Sequence, residues 1–276
     1  MRETRDGLAV NTYSYTQSMQ ADYCLRHLAD LGIRRFELMM YPGHLWHDDG
    51  PEQYRAIQRA CLDANLELLS LNSPNIDINI AAAAPEMRAY STGLLIRYIQ
   101  TAAALDIKFL VIGPGKPNPL QPMPEEILHE HFYRALDQLL PVAQVEKVIL
   151  LVENMPFSFL PKASGISRAL DRYGSDDVKV CYDLANAHFV EEDVGEGLAE
   201  IGARLRLIHV SDTTRRLYVH APIGAGDMDF SKITPQLSAA NVPYVLEIIS
   251  NTPDEDVVAS SRQFHDFRKV DPETFT

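Results

Sequence analysis

The chain has 276 residues, a length that suits one (β/α)8 barrel and does not demand two domains. Its net charge of −13 disfavours binding of a polyanion, so no nucleic-acid partner is expected. Three widely spaced cysteines argue against a disulfide framework and favour a cytoplasmic location. Long apolar runs are missing from the sequence, so we expect no signal peptide and no membrane span.

The first half of the chain alternates apolar, β-rich runs with helical patterns. Four strands are predicted, at 8–15, 34–41, 66–72 and 108–113. A helix is predicted after each of them, at 19–31, 51–65, 85–105 and from Pro124 onward. The fourth helix starts with Glu125 and Glu126, whose negative charges suit the positive end of a helix dipole.

In the second half, four apolar runs each end in an acidic residue or a histidine. The runs are VILLVE, VKVCYD, LRLIH and YVLE, and they end at Glu153, Asp183, His209 and Glu247. They lie about one strand–helix unit apart, so they are predicted to be strands five to eight. A final helix is predicted at 252–270, followed by a loose tail at 271–276.

Eight strand–helix units with mostly apolar strands predict an α/β fold with a parallel sheet. Eight is the number that closes a barrel, so we expect a (β/α)8 TIM barrel, with outer helices, as a single domain over 1–276. An open, doubly wound sheet is the alternative. No GxGxxG motif follows the first strand, which favours the barrel.

In such a barrel the carboxyl ends of the strands meet at one rim, where catalytic sites lie. Three carboxylates and an imidazole at that rim suit a divalent metal ion, which polarises a carbonyl and holds a base beside it. Three of the four residues also have a simpler interpretation. Glu153 would form a salt bridge inside the barrel, Asp183 would cap a turn, and His209 would be a satisfied core histidine.

The loops after strands two, six and seven offer candidates for substrate contact, namely His44, Trp46, Asn186, His188, Arg216 and His220. A solvated loop or a hydrophobic anchor is the alternative role for these side chains. Glu37, within strand two, is expected either to hydrogen-bond inside the barrel or to reach the substrate. His129 and His131 fall inside a predicted helix, where a surface position is expected.

Five segments together resemble the xylose isomerase-like barrel superfamily, which contains sugar isomerases and epimerases and the endonuclease IV type of DNA-repair enzyme. They are VENMP, YDLANAHF, IHVSDT, HAPIGAGDMDF and VLEI. Sugar-epimerising members hold one metal with Glu, Asp, His and Glu on strands five to eight. The resemblance therefore implies one Mn, Mg, Co or Zn ion at the positions Glu153, Asp183, His209 and Glu247.

The chain departs from the family pattern at two places. Many members have a histidine three residues after the strand-six aspartate, where this chain has Asn186 and then His188, so either residue is a candidate for that substrate contact. Endonuclease-type members need histidines at the ends of strands three and four, which here read SLNSPN and VIGPGK. A three-metal phosphodiesterase site is therefore not expected.

The resemblance implies a metal-dependent isomerase or epimerase of a small sugar or related polyhydroxy carbonyl compound, with manganese among the expected metals. Glu153 and Glu247 are the predicted catalytic residues: one removes the proton beside the carbonyl and the other returns it. Return to the same carbon gives epimerisation, and return to its neighbour gives isomerisation. A dehydratase or decarboxylase acting on a keto acid, or a binding protein without catalysis, is the alternative. A homo-oligomer is compatible with the resemblance.

Overall fold

A computed structural model of the protein describes residues 8–269. Eight parallel strands close into a barrel, in which each strand pairs with the next and β8 pairs with β1. The strands are β1 (Leu8–Asn11), β2 (Arg35–Met39), β3 (Glu67–Asn72), β4 (Phe109–Ile112), β5 (Ile149–Glu153), β6 (Lys179–Asp183), β7 (Leu205–Val210) and β8 (Tyr244–Leu246). This topology confirms the predicted barrel.

Helices connect the strands and pack their apolar faces against the outer face of the barrel. They are α1 (Ala21–Asp30), α2 (Gly50–Ala64), α3 (Pro85–Ala104), α4 (Glu125–Glu146), α5 (Ala163–Tyr173), α6 (Leu184–Phe189), α7 (Val194–Ile201), α8 (Phe230–Ala239) and α9 (Pro253–Lys269). Over the described range, none of these helices is long and apolar enough to cross a membrane. The predicted tail at 271–276 lies outside the described residues, and the single-domain assignment stays a prediction.

The first strand is shorter than the sequence pattern predicts. It ends at Asn11, and a 3-10 turn at Tyr13–Tyr15 follows, instead of a strand that continues to residue 15. The side-chain oxygen of Asn11 accepts a hydrogen bond from the Tyr13 amide at 2.7 Å, which bends the backbone away from the sheet. The turn carries the ring of Tyr13 to the mouth of the barrel.

The alternation of side chains along each strand places the candidate ligands above an apolar layer. Leu151, Cys181, Leu207 and Val245 belong to one buried cluster, separate from the cluster between barrel and helices. Strand side chains that are two residues apart point to the same side of a sheet. Each candidate ligand follows one of these four residues by two positions, so all four ligands point into the barrel above the apolar layer.

Candidate metal centre and active site

The four strand-end residues predicted as ligands come together in the structure. Glu153, Asp183, His209 and Glu247 are all buried, and each offers one ligand atom within 4.8 Å of the others. His209 Nδ1 lies 3.0 Å from Glu247 Oε2, 3.2 Å from Glu153 Oε1 and 3.8 Å from Asp183 Oδ2. This buried group has the donor atoms to hold one metal ion.

Asp183 gives the clearest sign that the group fits a cation. Its Oδ1 accepts a hydrogen bond from the Asn186 amide at 2.6 Å and so caps α6, as the simpler interpretation expected. Its Oδ2 is buried and accepts no hydrogen bond from the described residues. Burial raises the pKa of this carboxyl to about 6. A buried carboxylate oxygen with no donor is costly, and a metal ion at this point would satisfy it.

Glu37 determines which nitrogen of His209 faces the ligand group. His209 Nε2 lies 3.1 Å from a carboxylate oxygen of Glu37, and both side chains are fully buried. An ionised carboxylate can only accept a hydrogen bond, so Nε2 carries a hydrogen and Nδ1 is the nitrogen left for a metal. Burial opposes a charge on this ring, but Glu37 and Glu247 hold the pKa of His209 well above its usual value, so a metal ion would displace a proton from Nδ1 when it binds.

A ring of uncharged side chains fixes Glu37 in turn. Asn11 Nδ2 donates to Glu37 Oε1 at 2.6 Å, and Ser70 Oγ donates to Oε2 at 2.7 Å. Asn72 Nδ2 donates to Glu37 Oε1 and also to Glu247 Oε1, both at 3.2 Å. Burial favours the neutral acid, but His209 and these donors together hold the pKa of Glu37 below its usual value. His209, together with the uncharged donors Ser70 and Asn11, therefore keeps this carboxylate ionised beneath the ligand group.

A cavity of about 460 Å³ opens above the ligand group at the carboxyl rim of the barrel. Glu153 and Glu247 line it, together with Asn186 and His220 from the predicted substrate contacts. A site of this size is within the range that small-molecule pockets span. The carboxyl rim is also the face on which barrel enzymes carry their active sites.

Asn186 and His220 are linked through Tyr218, a residue that the sequence analysis did not single out. The Tyr218 hydroxyl donates to Asn186 Oδ1 at 2.8 Å and lies 2.9 Å from His220 Nε2. Asn186 Nδ2 in turn donates to Glu153 Oε1 at 3.4 Å. One hydrogen-bonded chain thus runs from the loop after β7 to a candidate ligand, along one wall of the cavity.

Comparison with known proteins places this architecture in a family. A family model described as a xylose isomerase-like TIM barrel matches residues 25–266. The chain belongs to this family. An uncharacterized protein of Methanocaldococcus jannaschii is 27% identical over 212 residues, which cover 73% of each chain.

Solved structures similar to this member of the xylose isomerase-like family share its fold over almost the whole chain. A D-tagatose 3-epimerase-like protein has a TM-score of 0.84 at 16% identity, covering 98% of this chain and 99% of that one. The 3-keto-D-glucoside 4-epimerase of E. coli has a TM-score of 0.78 at 15% identity, covering 95% of this chain and 100% of that one. At these identities the likeness establishes the barrel fold.

In this xylose isomerase-like barrel, Asp212 organises the long loop that carries His220. Its Oδ1 accepts hydrogen bonds from the amides of Thr213 and Met228, and its Oδ2 accepts one from Gly224 at 2.9 Å. The Asp212 backbone also pairs with Ala221 in both directions at 2.8 Å. The side chain is fully buried, so these amides depend on it for their partners.

Asp212→Ala is expected to lower the free energy of unfolding by roughly 2–4 kcal/mol, because it leaves three amides of the loop without an acceptor. Urea denaturation followed by circular dichroism measures this change. Asp176→Ala, which removes an exposed carboxylate after α5, is the matched control and is expected to change stability by less than about 0.5 kcal/mol. Equal stabilities of the two variants would contradict this role of Asp212.

The structure does not bring the other four predicted substrate contacts to the cavity. His188 Nε2 lies 2.6 Å from Asp227 Oδ1, and Arg216 is exposed on the loop after β7. His44 is fully buried, with its nitrogens bonded to the Met19 carbonyl and the Thr12 hydroxyl, so it fastens two loops together. Trp46 packs edge-on against Tyr98 at 5.6 Å, as a hydrophobic anchor would.

Proposed function

We propose that this protein is a divalent-metal-dependent isomerase or epimerase of a small sugar or related polyhydroxy carbonyl compound. The observation that carries the proposal is the buried Asp183 oxygen without a donor, inside a group of four ligand residues at the floor of an open cavity. The epimerase names of the two solved neighbours support the same chemistry. A structural metal site would be closed to solvent by its ligands, whereas this group faces a cavity.

Bound at this group, the ion would polarise a substrate carbonyl and so acidify the neighbouring C–H. Glu153 and Glu247, from β5 and after β8, both line the cavity and approach it from different sides. In the proposed reaction one of them removes the proton from the carbon beside the carbonyl. The other returns a proton to the same carbon or to its neighbour.

One oxygen of each glutamate accepts hydrogen bonds from amide side chains. Glu247 Oε1 accepts from Asn11 and Asn72 below it, while Oε2 faces His209 and lies 3.5 Å from His220 Nδ1. Glu153 uses Oε1 for Asn186 and His209, which leaves Oε2 for a proton. We assign Asn186 and His220 to binding substrate hydroxyls, since both polar side chains line the cavity.

A keto-acid lyase, the alternative from the sequence, finds no support in the charges of the cavity. The residues of 8–269 that line it include Glu153, Glu247 and Asp77 but no arginine. The lining cation is Lys116, whose ammonium donates to the backbone carbonyl of Ile76. Apart from Lys116 and the proposed metal ion, a substrate carboxylate would meet carboxylates in this cavity, which favours an uncharged substrate.

The test of the proposal is a metal-dependent proton exchange assay. After treatment with a chelator and reloading with Mn²⁺, Mg²⁺, Co²⁺ or Zn²⁺, the protein is expected to bind about one metal ion per chain. The reloaded protein should exchange the proton beside the carbonyl of a ketose or aldose with solvent deuterium, and nuclear magnetic resonance measures this. Exchange that persists undiminished in the chelated protein would refute the proposal. Manganese as one of the candidate metals, the cytoplasmic location and a possible homo-oligomer stay predictions.

A further inference from the structure

The upper wall of the cavity differs in chemistry from its floor. The floor carries the glutamates, Asn186 and His220, whereas apolar side chains from the loops after β1, β2, β3, β5 and β8 form the wall. Prominent among them are Ile76, Met155, Phe157 and Ile249, joined by the rings of Tyr13 and Tyr41. Asn75, Asp77 and Lys116 add polar groups to the same cavity. This arrangement separates a hydrogen-bonding end of the site from an apolar end.

Three of these wall residues remain open to solvent although they are large and apolar. Ile76 is 70% exposed, Phe157 61% and Ile249 46%. Exposed apolar residues that gather around one cavity mark a binding surface, whereas singly scattered ones do not. We call Ile76, Phe157 and Ile249 the apolar rim.

An aromatic path joins the apolar rim to the floor. The ring of Phe157 meets that of Tyr218 edge-on at 5.3 Å, and Tyr218 meets His220 at 5.4 Å. Such edge-to-face contacts hold the rings in defined orientations. A flat group that packs beside Phe157 could therefore belong to the same molecule as a head group bound at His220.

A small sugar alone does not match this wall. Sugar hydroxyls lose hydrogen bonds to water when they are buried against apolar side chains that cannot replace them. The cavity, at about 460 Å³, is also within the range of pockets that enclose drug-sized ligands. An apolar substituent on the substrate would fill the wall region and gain from its burial.

We propose that the substrate is amphipathic: a polyhydroxy carbonyl head binds at the floor, and a flat apolar group, such as the aryl aglycone of a keto-glycoside, binds at the apolar rim. The placement of the head rests on the proposed function. The apolar subsite itself rests on the wall residues alone.

The 3-keto derivatives of phenyl and methyl β-D-glucopyranoside are matched probes, since they differ in the aglycone only. Titration calorimetry with the metal-loaded protein is expected to give a Kd at least roughly tenfold lower for the phenyl compound, because it buries more apolar area. In the double variant Phe157→Ala, Ile249→Ala, most of this difference should disappear while the Kd of the methyl compound stays within about twofold. Both residues are exposed, so the variant should fold.

Leu120→Ala is the control, because Leu120 is 93% exposed in the loop after β4 and is not among the residues that line the cavity. It should keep the full phenyl preference. Equal Kd values for the phenyl and methyl compounds would overturn the proposal, and so would a phenyl preference that survives in the double variant. Either result would mean that the apolar rim contacts solvent or a second copy of the chain, and not the substrate. A phenyl preference in a protein that exchanges no protons supports the subsite and counts against the proposed reaction.

Discussion

Glu153→Gln and Glu247→Gln are each expected to slow the exchange of the substrate proton beside the carbonyl with solvent by about 10²–10⁴-fold. Glutamine keeps the shape of glutamate but cannot accept the proton, so either substitution interrupts a transfer that needs both groups. Each also removes one negative charge from the four-residue ligand group, so metal affinity should fall as well. Deuterium exchange in the metal-loaded variants measures the first effect, and metal titration measures the second.

Glu200→Gln is the matched control, since Glu200 lies exposed on α7, away from the cavity, and its replacement should leave exchange unchanged. Circular dichroism and the thermal midpoint of each variant separate a chemical loss from unfolding. Variants that fold, bind metal and still exchange protons at the rate of the unaltered protein would refute the assignment of the two glutamates.

Sequence reasoning located the ligand group because two regularities are local. Parallel strands deliver their carboxyl ends to one rim, and side chains two residues apart share a face. A polar residue at the end of an apolar run, as at Glu153 or His209, is therefore readable without knowing which strands are neighbours. The same signal allowed both roles of Asp183, and the structure shows that one oxygen caps α6 while the other faces the ligand group.

The residues around the ligand group were not predictable in the same way, since barrel closure determines them. Asn11 and Asn72 donate to Glu247 from β1 and β3, and both lie too far from Glu247 in the sequence for a motif to link them. The aromatic path also depends on how the loops after β5 and β7 fold over the rim. Glu37, a charge within an apolar strand, did give a local signal, and the structure supports its hydrogen-bonding role inside the barrel.

The expectation that His129 and His131 lie at the surface was wrong. They are 8% and 9% exposed. The ring of Phe159, in the loop after β5, packs edge-on over His129 at 5.2 Å. Helical periodicity identifies the face of a helix that meets the barrel, but it does not indicate which loop covers the remaining surface.

Glu37→Gln is expected to weaken metal binding by about 10–100-fold, although Glu37 is not one of the four ligand residues. Ionised Glu37 can only accept from His209 Nε2, so the neutral ring carries its proton there and turns its Nδ1 lone pair toward Glu153 and Glu247. Glutamine can also donate through its amide and would then stabilise the opposite tautomer, with the proton on Nδ1. That tautomer has no lone pair for the ion.

Two measurements together test this role of Glu37. Competition with a chromophoric chelator gives the Kd for Zn²⁺. The ¹⁵N shifts of the His209 ring, recorded on the metal-free protein at a pH high enough for the ring to be neutral, report which nitrogen carries the proton. Glu67→Gln, an identical change at an exposed position of β3, should alter neither. A lower metal affinity with an unchanged tautomer would show that the charge of Glu37 acts directly on the ion. Unchanged affinity would refute the positioning role, because the hydrogen bond from His209 would then have no bearing on the ligand group.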